Sequence, residues 1–183
     1  MVDEISQELS NQIQINDYKT IEQTMEKLPD GARRLAAQLT TSASFESLWN
    51  VLTDYERLNL FIPNLLTSRQ LYKNQNNFHI KQIGAQDFLG MKFSAEVILD
   101  LYEFKDQGLI RFKLIKGDFR RFEGSWQIKS INNSDKNSLI YDLTVKGCQW
   151  MPIGMIEKRL KRDLSENLIA VDKQAQNSQK NNL

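Results

Sequence analysis

A run of alternating apolar and polar residues between positions 66 and 147 constrains the fold of this chain more than any other feature. Alternation with a period of two is typical of half-buried strands, and here it predicts strands at 66–73, 77–84, 91–104, 108–116, 119–131 and 138–147. The segments between them, such as KNQNN, KDQG and NNSDKN, are short and rich in turn residues. Because connections this short cannot cross over to a parallel neighbour, the sequence predicts an antiparallel sheet.

The apolar spacing changes to that of an α-helix after this run. Beyond Pro152, apolar residues recur every three or four positions and predict a long C-terminal helix with one apolar stripe: Ile153, Ile156, Leu160, Leu164, Leu168 and Val171. Arg159 and Asp163 are four positions apart on this helix. Their spacing indicates an ion pair that supports the helix rather than a function.

A further strand and two short helices precede the run. Residues 33–41 alternate in the same way and predict the first strand. Ser44 is the predicted N-cap of a short helix that continues through Leu52 at helical spacing. A second helical turn follows and ends at Pro63, because proline disfavours a helical conformation in the residue before it.

These elements predict an α+β fold. A seven-stranded sheet with one apolar face must be covered, and the C-terminal helix is the long element available to cover it. A curved antiparallel sheet wrapped around that helix leaves a cavity unless large side chains fill it. We expect residues 1–31 to form a polar extension that is partly helical or disordered, residues 32–173 to form one ligand-binding domain, and residues 174–183 to form a disordered tail.

Composition excludes several classes of function. The net charge of +1 is too small to favour nucleic acid binding. A single cysteine, Cys148, excludes an internal disulfide, and with one histidine, His79, it cannot build a metal cluster. The phase of its strand predicts that His79 faces solvent, so without a second histidine Cys148 would need another base to act as a catalytic nucleophile. The acidic N-terminus does not resemble a signal peptide, and no apolar run is long enough to span a bilayer. We expect a cytoplasmic protein, or one peripheral at a membrane surface.

Three segments, in this order, resemble a known family: SFESLWNVLTDYERLNLFIPNL, GDFRRFEGSW and MPIGMIEKRLKRDLSENL. They are similar to the START-like, helix-grip proteins of the polyketide cyclase/dehydrase and lipid-transport superfamily. The similarity covers about residues 32–172 and is closest to coenzyme-Q-binding-type proteins, including cyanobacterial and plastid members. The resemblance implies a helix-grip fold with an internal apolar cavity, which holds isoprenoid quinones in the closest group and sterols, lipids or polyketides elsewhere.

Large apolar side chains are the candidate ligand-binding residues, with one arginine among them. Arg120 extends the inward phase of the late strand and is predicted to clamp a carbonyl, hydroxyl or headgroup at the cavity entrance. Gly124 is predicted to leave space between two rings for a bend, the ligand or the helix. The full predicted set is Trp49, Leu52, Phe61, Ile62, Phe93, Phe112, Arg120, Phe122, Trp126, Trp150, Met155 and Ile156.

The predicted function is non-catalytic binding and transfer of a hydrophobic small molecule or lipid, such as an isoprenoid quinone. The sequence predicts no catalytic residue, cofactor or metal site, and we expect no nucleic acid partner. Apolar loops NLFIPNLL and WMPIGM also allow a lid or a transient contact with a membrane surface. Two alternatives stay open: a cyclase- or dehydratase-like enzyme, which needs an inward acid or base, and a protein-interaction module with a filled core. The sequence leaves the ligand and the oligomeric state undetermined.

Overall fold

The computed structural model describes residues 13–15, 19–88, 91–148 and 153–181 of the 183-residue chain. Its strands are β1 Ile13–Ile15, β2 Lys19–Lys27, β3 Arg33–Thr41, β4 Leu65–Asn74, β5 Asn77–Phe88, β6 Met91–Phe104, β7 Leu109–Gly117, β8 Arg121–Ser130 and β9 Asn137–Lys146. The α-helices are α1 Phe45–Thr53 and α2 Ile153–Asn181, and short 3₁₀ helices occupy Leu58–Leu60 and Lys105–Gln107.

All strands form one antiparallel sheet in the order β1-β2-β3-β9-β8-β7-β6-β5-β4. The sheet curves around α2, so the predicted α+β helix-grip architecture is confirmed. Ser44 caps α1 as predicted, because its hydroxyl accepts a hydrogen bond from the backbone N–H of Ser47 at 3.2 Å. None of the helices in the described part of the chain combines the length and the apolar character needed to cross a bilayer.

The predicted character of the N-terminal extension is wrong for the part that is described. Residues 19–27 are neither helical nor disordered but form β2, which pairs with β3 from Ile21–Leu39 to Lys27–Arg33. Ile21 is buried, and the Gln23 side chain donates to the backbone carbonyl of Lys161 on α2 at 2.6 Å. The sheet therefore has nine strands rather than seven, and residues 1–12 and 16–18 lie outside the described part.

The predicted disordered tail is also wrong over most of its length, because α2 continues to Asn181. Ala175 is fully buried, and the Gln176 amide donates to Asp172 at 2.9 Å. One turn later, the Gln179 side chain accepts a hydrogen bond from the backbone N–H of Ser44 at 3.1 Å. These contacts, the last of which reaches the N-cap of α1, give the polar segment fixed partners, so it stays helical.

The apolar core joins the concave face of the sheet to α1 and α2. On α2 the predicted stripe is buried at Leu164, Leu168 and Val171. Strand residues complete this core, among them Leu35, Leu39, Leu139, Leu143 and Val145. A buried hydrogen bond from the Thr41 hydroxyl to the carboxylate of Asp172 ties β3 to the second half of α2.

Candidate functional site

A cavity of about 320 Å³ separates the concave face of the sheet from the first half of α2. Side chains of the sheet, of α1, of α2 and of the segment between α1 and β4 form its wall. This volume lies at the lower end of the range for small-molecule sites. Its apolar lining includes Leu52, Leu58, Ile62, Leu65, Val97, Phe119, Phe122, Trp126, Leu160 and Leu164.

Aromatic rings from β8 and β9 form one side of the cavity. Trp126 and Tyr141 are directly opposed across the two strands, and their rings stack with centroids 4.0 Å apart and planes 9° apart. Phe122 lies on the same face of β8 and contacts Phe119, with centroids 5.3 Å apart. This wall presents flat apolar surface to any molecule in the cavity.

Gly124 does not leave open space between the rings of Phe122 and Trp126, contrary to the prediction. The register of the sheet places Phe112 of β7 opposite Gly124, and the Phe112 ring lies over the glycine. A Cβ at position 124 would lie 2.9 Å from Cζ of Phe112 and 2.0 Å from the carbonyl oxygen of Asp142. Gly124 therefore allows Phe112 to pack beneath the aromatic wall, where it contacts Phe122 and Tyr141.

Polar side chains of α2 form the side of the cavity that faces this wall. Arg159, Asp163 and Asn167 all line it. The Arg159 Nε donates to the Asp163 Oδ2 at 3.1 Å, and the two side chains are only 17% and 24% exposed. An ion pair at this depth is positioned to bind an oxygen-bearing group of a ligand.

Burial controls the protonation of this pair. It raises the pKa of Asp163 to about 6, against the opposing effects of Arg159 and Arg162, and it lowers the pKa of Arg159. Burial also raises the pKa of the Tyr141 hydroxyl on the opposite wall. The cavity thus contains a carboxyl group that gains or loses its proton near neutral pH.

Residues 62–65 form a corner that closes the cavity between α1 and β4. Asn64 adopts a left-handed conformation with φ of 62°, which asparagine tolerates better than most residues. Its carbonyl oxygen accepts a hydrogen bond from the backbone N–H of Ala85 at 2.9 Å, which fixes the corner on β5. Ile62 and Pro63 therefore line the cavity from a segment outside the regular sheet, and Leu65, the first residue of β4, lines it beside them.

The structure brings together some of the predicted site residues and separates others. Leu52, Ile62, Phe122 and Trp126 line the cavity. Among the described residues, Trp49, Phe61 and Phe112 pack in or against the core outside the cavity lining, and Arg120 is exposed. Trp150 lies outside the described residues, as do the side chains of Phe93, Met155 and Ile156.

Arg120 is not at the cavity because the regular strand begins one residue later. Its backbone N–H donates to the carbonyl of Lys146 at 2.9 Å, but β8 starts at Arg121, so the alternation does not extend back to Arg120. Arg121 does lie with Glu123 as expected, with Nη2 2.5 Å from Oε1. The two arginines both lie outside the cavity lining.

The polar wall of α2 was missed, although the sequence contains a signal for it. Leu160, Asp163, Asn167 and Val171 are spaced by three, four and four residues, so they share one face of the helix next to the apolar stripe. Our interpretation of Arg159 and Asp163 as helix-supporting residues considered only their mutual spacing. No group of three or more metal-ligating side chains capable of holding a metal ion occurs in the described part of the chain.

Comparison with known proteins supports this architecture. The family model described as polyketide cyclase/dehydrase and lipid transport matches residues 41–172. No curated protein sequence matches the chain. The predicted coenzyme-Q-binding-type subgroup stays a prediction, because the family model covers cyclases, dehydrases and lipid-transport proteins together.

Solved structures share the fold at low sequence identity. A STAR-related lipid transfer protein from Xanthomonas axonopodis has a TM-score of 0.72 and 12% identity, over 91% of this chain and 98% of that one. The Zhui aromatase/cyclase from Streptomyces sp. R1128 has a TM-score of 0.68 and 15% identity, over 79% and 94%. Human StAR-related lipid transfer protein 5 has a TM-score of 0.67 and 6% identity, over 92% and 87%. Identities this low establish a common fold and no common ligand.

Proposed function

Because the chain belongs to the polyketide cyclase/dehydrase and lipid transport family, we propose that it binds a hydrophobic small molecule between the sheet and α2 and transfers it unchanged. The cavity itself is the observation that carries this proposal. It combines a stacked aromatic wall at Trp126 and Tyr141 with a polar wall at Arg159 and Asp163. A cavity of this size also disfavours the predicted alternative of a protein-interaction module with a filled core.

The two walls indicate the chemical class of the ligand. A flat ring fits against Trp126, and a carbonyl or hydroxyl oxygen on that ring fits the Arg159 guanidinium or the Asn167 amide on the opposite side. An isoprenoid quinone has both features. A volume of about 320 Å³ accommodates the ring and a short tail, so a long tail would extend out of the cavity.

Apolar burial provides most of the binding free energy. Covering about 300 Å² of ligand surface at roughly 25 cal/mol per Å² gives about 7 kcal/mol before the cost of ordering the ligand. Binding of this strength is reversible, which suits a carrier that releases its ligand. The predicted contact with a membrane surface is part of the proposal, because a hydrophobic ligand must be collected from and returned to an apolar phase.

Native mass spectrometry with solvent extraction of protein purified from its own host tests this function. We expect a hydrophobic molecule to co-purify, and calorimetry to show binding of a ubiquinone with a short isoprenoid tail. Trp126→Ala should weaken that binding at least about tenfold, because a stacked ring and its buried area are lost. Arg120→Ala is the matched control and should leave binding unchanged, since Arg120 is exposed outside the cavity. Absence of any co-purified hydrophobe, together with no measurable quinone binding, would refute the proposal.

A cyclase- or dehydratase-like enzyme is the second candidate, and Asp163 is the observation that favours it. A carboxyl group with a pKa of about 6 inside an apolar cavity is suited to general acid–base chemistry. The two functions differ in their dependence on this residue. If the co-purified compound loses water in the presence of the wild-type protein but not of Asp163→Asn, the protein is an enzyme. If both proteins bind the compound and leave its mass unchanged, it is a carrier.

A further inference from the structure

The most exposed large apolar side chains of the described residues are concentrated in one segment. Leu60 in the first 3₁₀ helix is 73% exposed, and Leu66 and Leu71 on β4 are 60% and 52% exposed. Tyr72 follows directly and is also exposed. Residues 60–73, which we call the docking segment, therefore present aliphatic side chains to solvent where a loop and an edge strand would ordinarily be polar.

Two of these leucines are extruded by β-bulges. The pairing of β4 with β5 skips one residue between Leu65 and Thr67 and another between Gln70 and Tyr72, so Leu66 and Leu71 have no partner across the ladder. β4 is the outermost strand at its side of the described sheet. Because a twice-bulged edge cannot offer a regular ladder, addition of a strand from a second copy or from a peptide is disfavoured.

The docking segment also forms part of the cavity wall. Residues 62–65, between the exposed Leu60 and Leu66, are the corner whose side chains line the cavity. One short stretch of chain thus separates the cavity from an apolar outer surface. A surface placed there would lie beside the cavity without any rearrangement of the sheet.

Charge in this region indicates what that surface contacts. Residues 57–86 contain no Asp or Glu, although the chain has 23 of them, and they contain Arg57, Arg69, Lys73 and Lys81. Arg57 and Lys81 form ion pairs with Asp54 and Glu96. Arg69 and Lys73 are exposed on β4, and the pairing with β5 places them on opposite faces of this edge strand. Arg69 lies beside Lys81, whereas Lys73 lies over the buried Phe78 ring, 5.4 Å from its centroid. An exposed apolar edge strand that carries a cation on each face complements a layer of anionic lipid headgroups over acyl chains.

We propose that the docking segment binds the surface of an anionic bilayer. Leu60 and Leu66 enter the boundary between headgroups and acyl chains, and Arg69 and Lys73 contact lipid phosphates. The corner at residues 62–65 then faces the apolar layer from which a ligand enters the cavity. Docking to the bilayer does not require a bound ligand. It rests on the proposed function in one respect, because collecting a hydrophobic ligand from the bilayer is the purpose that we assign to it.

Vesicle sedimentation with the full chain tests this proposal. We expect the wild-type protein to sediment with vesicles of phosphatidylcholine containing 30% phosphatidylglycerol, and much less with phosphatidylcholine alone. Leu60→Ser with Leu66→Ser should reduce the bound fraction at least about fivefold, and so should Arg69→Gln with Lys73→Gln, at about 1 kcal/mol per cation near an anionic surface. The matched controls are Tyr102→Ser, an exposed aromatic on β6, and Lys129→Gln with Lys136→Gln, which lie on β8 and just before β9, four or more strands away from β4 in the sheet. Both controls should bind as the wild type does.

Three results would overturn the docking proposal. They are a wild-type protein that does not sediment with anionic vesicles, a leucine pair variant that binds like the wild type, and a wild-type protein that self-associates through these leucines in light scattering.

Calorimetry with the short-tailed ubiquinone in vesicle-free solution separates this proposal from the proposed function. The leucine variant should bind the quinone normally, so loss of vesicle binding with intact quinone binding identifies a docking surface. Vesicle binding without any quinone binding would support docking and contradict the proposed function.

Discussion

At the scale of single residues, Gly124 determines how the aromatic wall is built. A methyl group at this position would lie 2.0 Å from the Asp142 carbonyl oxygen and 2.9 Å from the Phe112 ring, so Gly124→Ala must displace β9 or Phe112. We expect a loss of about 2–4 kcal/mol in the free energy of unfolding, measured in urea. Gly84→Ala is the matched control, because its nearest contact is Asn64 at 3.6 Å, and it should cost less than about 1 kcal/mol. If Gly124→Ala lowers the free energy of unfolding no more than Gly84→Ala does, position 124 tolerates a side chain.

The same position shows what alternation along a strand can and cannot reveal. It correctly placed Phe122, Gly124 and Trp126 on one face of β8, because successive side chains point to opposite faces. It could not show that Phe112 fills the space over the glycine, because that depends on the register between β7 and β8. The predicted gap at Gly124 was therefore wrong while the predicted face was right.

Asp163 should leave a measurable trace in the pH dependence of stability. Its pKa is about 6 in the folded protein and near 3.8 when unfolded, so between these values the folded state holds a proton that the unfolded state has released. The contribution of Asp163 to the free energy of unfolding therefore falls as pH rises from about 4 to about 6. Between pH 4 and pH 7, Asp163→Asn should gain about 2–3 kcal/mol in unfolding free energy relative to the wild type.

Glu157 supplies a control of opposite sign for this experiment. Its hydrogen bond to Arg33 lowers the pKa of Glu157, so its stabilising contribution is present above the unfolded pKa and is lost as pH falls. Glu157→Gln should therefore lose stability relative to the wild type as pH rises, the reverse of Asp163→Asn. Parallel pH profiles for the two variants would contradict the assignment of Asp163 as a buried, partly protonated group.

At the scale of elements, the two ends of the chain were the hardest parts to predict. Ile21 and Met25 are four positions apart, which fits one face of a helix as well as one face of a strand. The edge of β3 decides between them, because it offers β2 a full ladder of backbone partners. The polar residues after 173 gave no apolar signal, and their helix depends on contacts with α1 that the local sequence does not show.

Removing the end of α2 tests those contacts. Truncation after Lys173 removes the buried Ala175, the Gln176 bond to Asp172 and the Gln179 bond to Ser44. We expect a loss of about 2–4 kcal/mol in the free energy of unfolding by urea, from lost burial and hydrogen bonds. Truncation after Lys180 is the matched control and should have no measurable effect. A truncation at 173 that unfolds like the full chain would mean that the last turns contribute nothing.

At the scale of the whole molecule, the sequence predicted the architecture well and the site in part. Periodicity identified strands β3 to β9 of the curved sheet and the helix that it encloses, and the apolar wall at Leu52, Phe122 and Trp126 follows from those faces. The polar wall at Arg159 and Asp163 was missed, because an ion pair on an isolated helix looks the same whether it faces solvent or a cavity. Only the way the sheet curves determines which face of α2 is covered by packing and which faces open space.

That open space gives the last prediction. Ala95 lines the cavity on β6, whereas Ala37 on β3 is buried in the packed core. Ala95→Phe should place its ring in unoccupied volume, so we expect unfolding by urea within about 1 kcal/mol of the wild type, together with at least about a tenfold loss of short-tailed ubiquinone binding in calorimetry. Ala37→Phe must displace close-packed neighbours and should cost about 1–3 kcal/mol or more. If both substitutions destabilise the protein equally, the space beside Ala95 is not open, and the cavity cannot be the binding site.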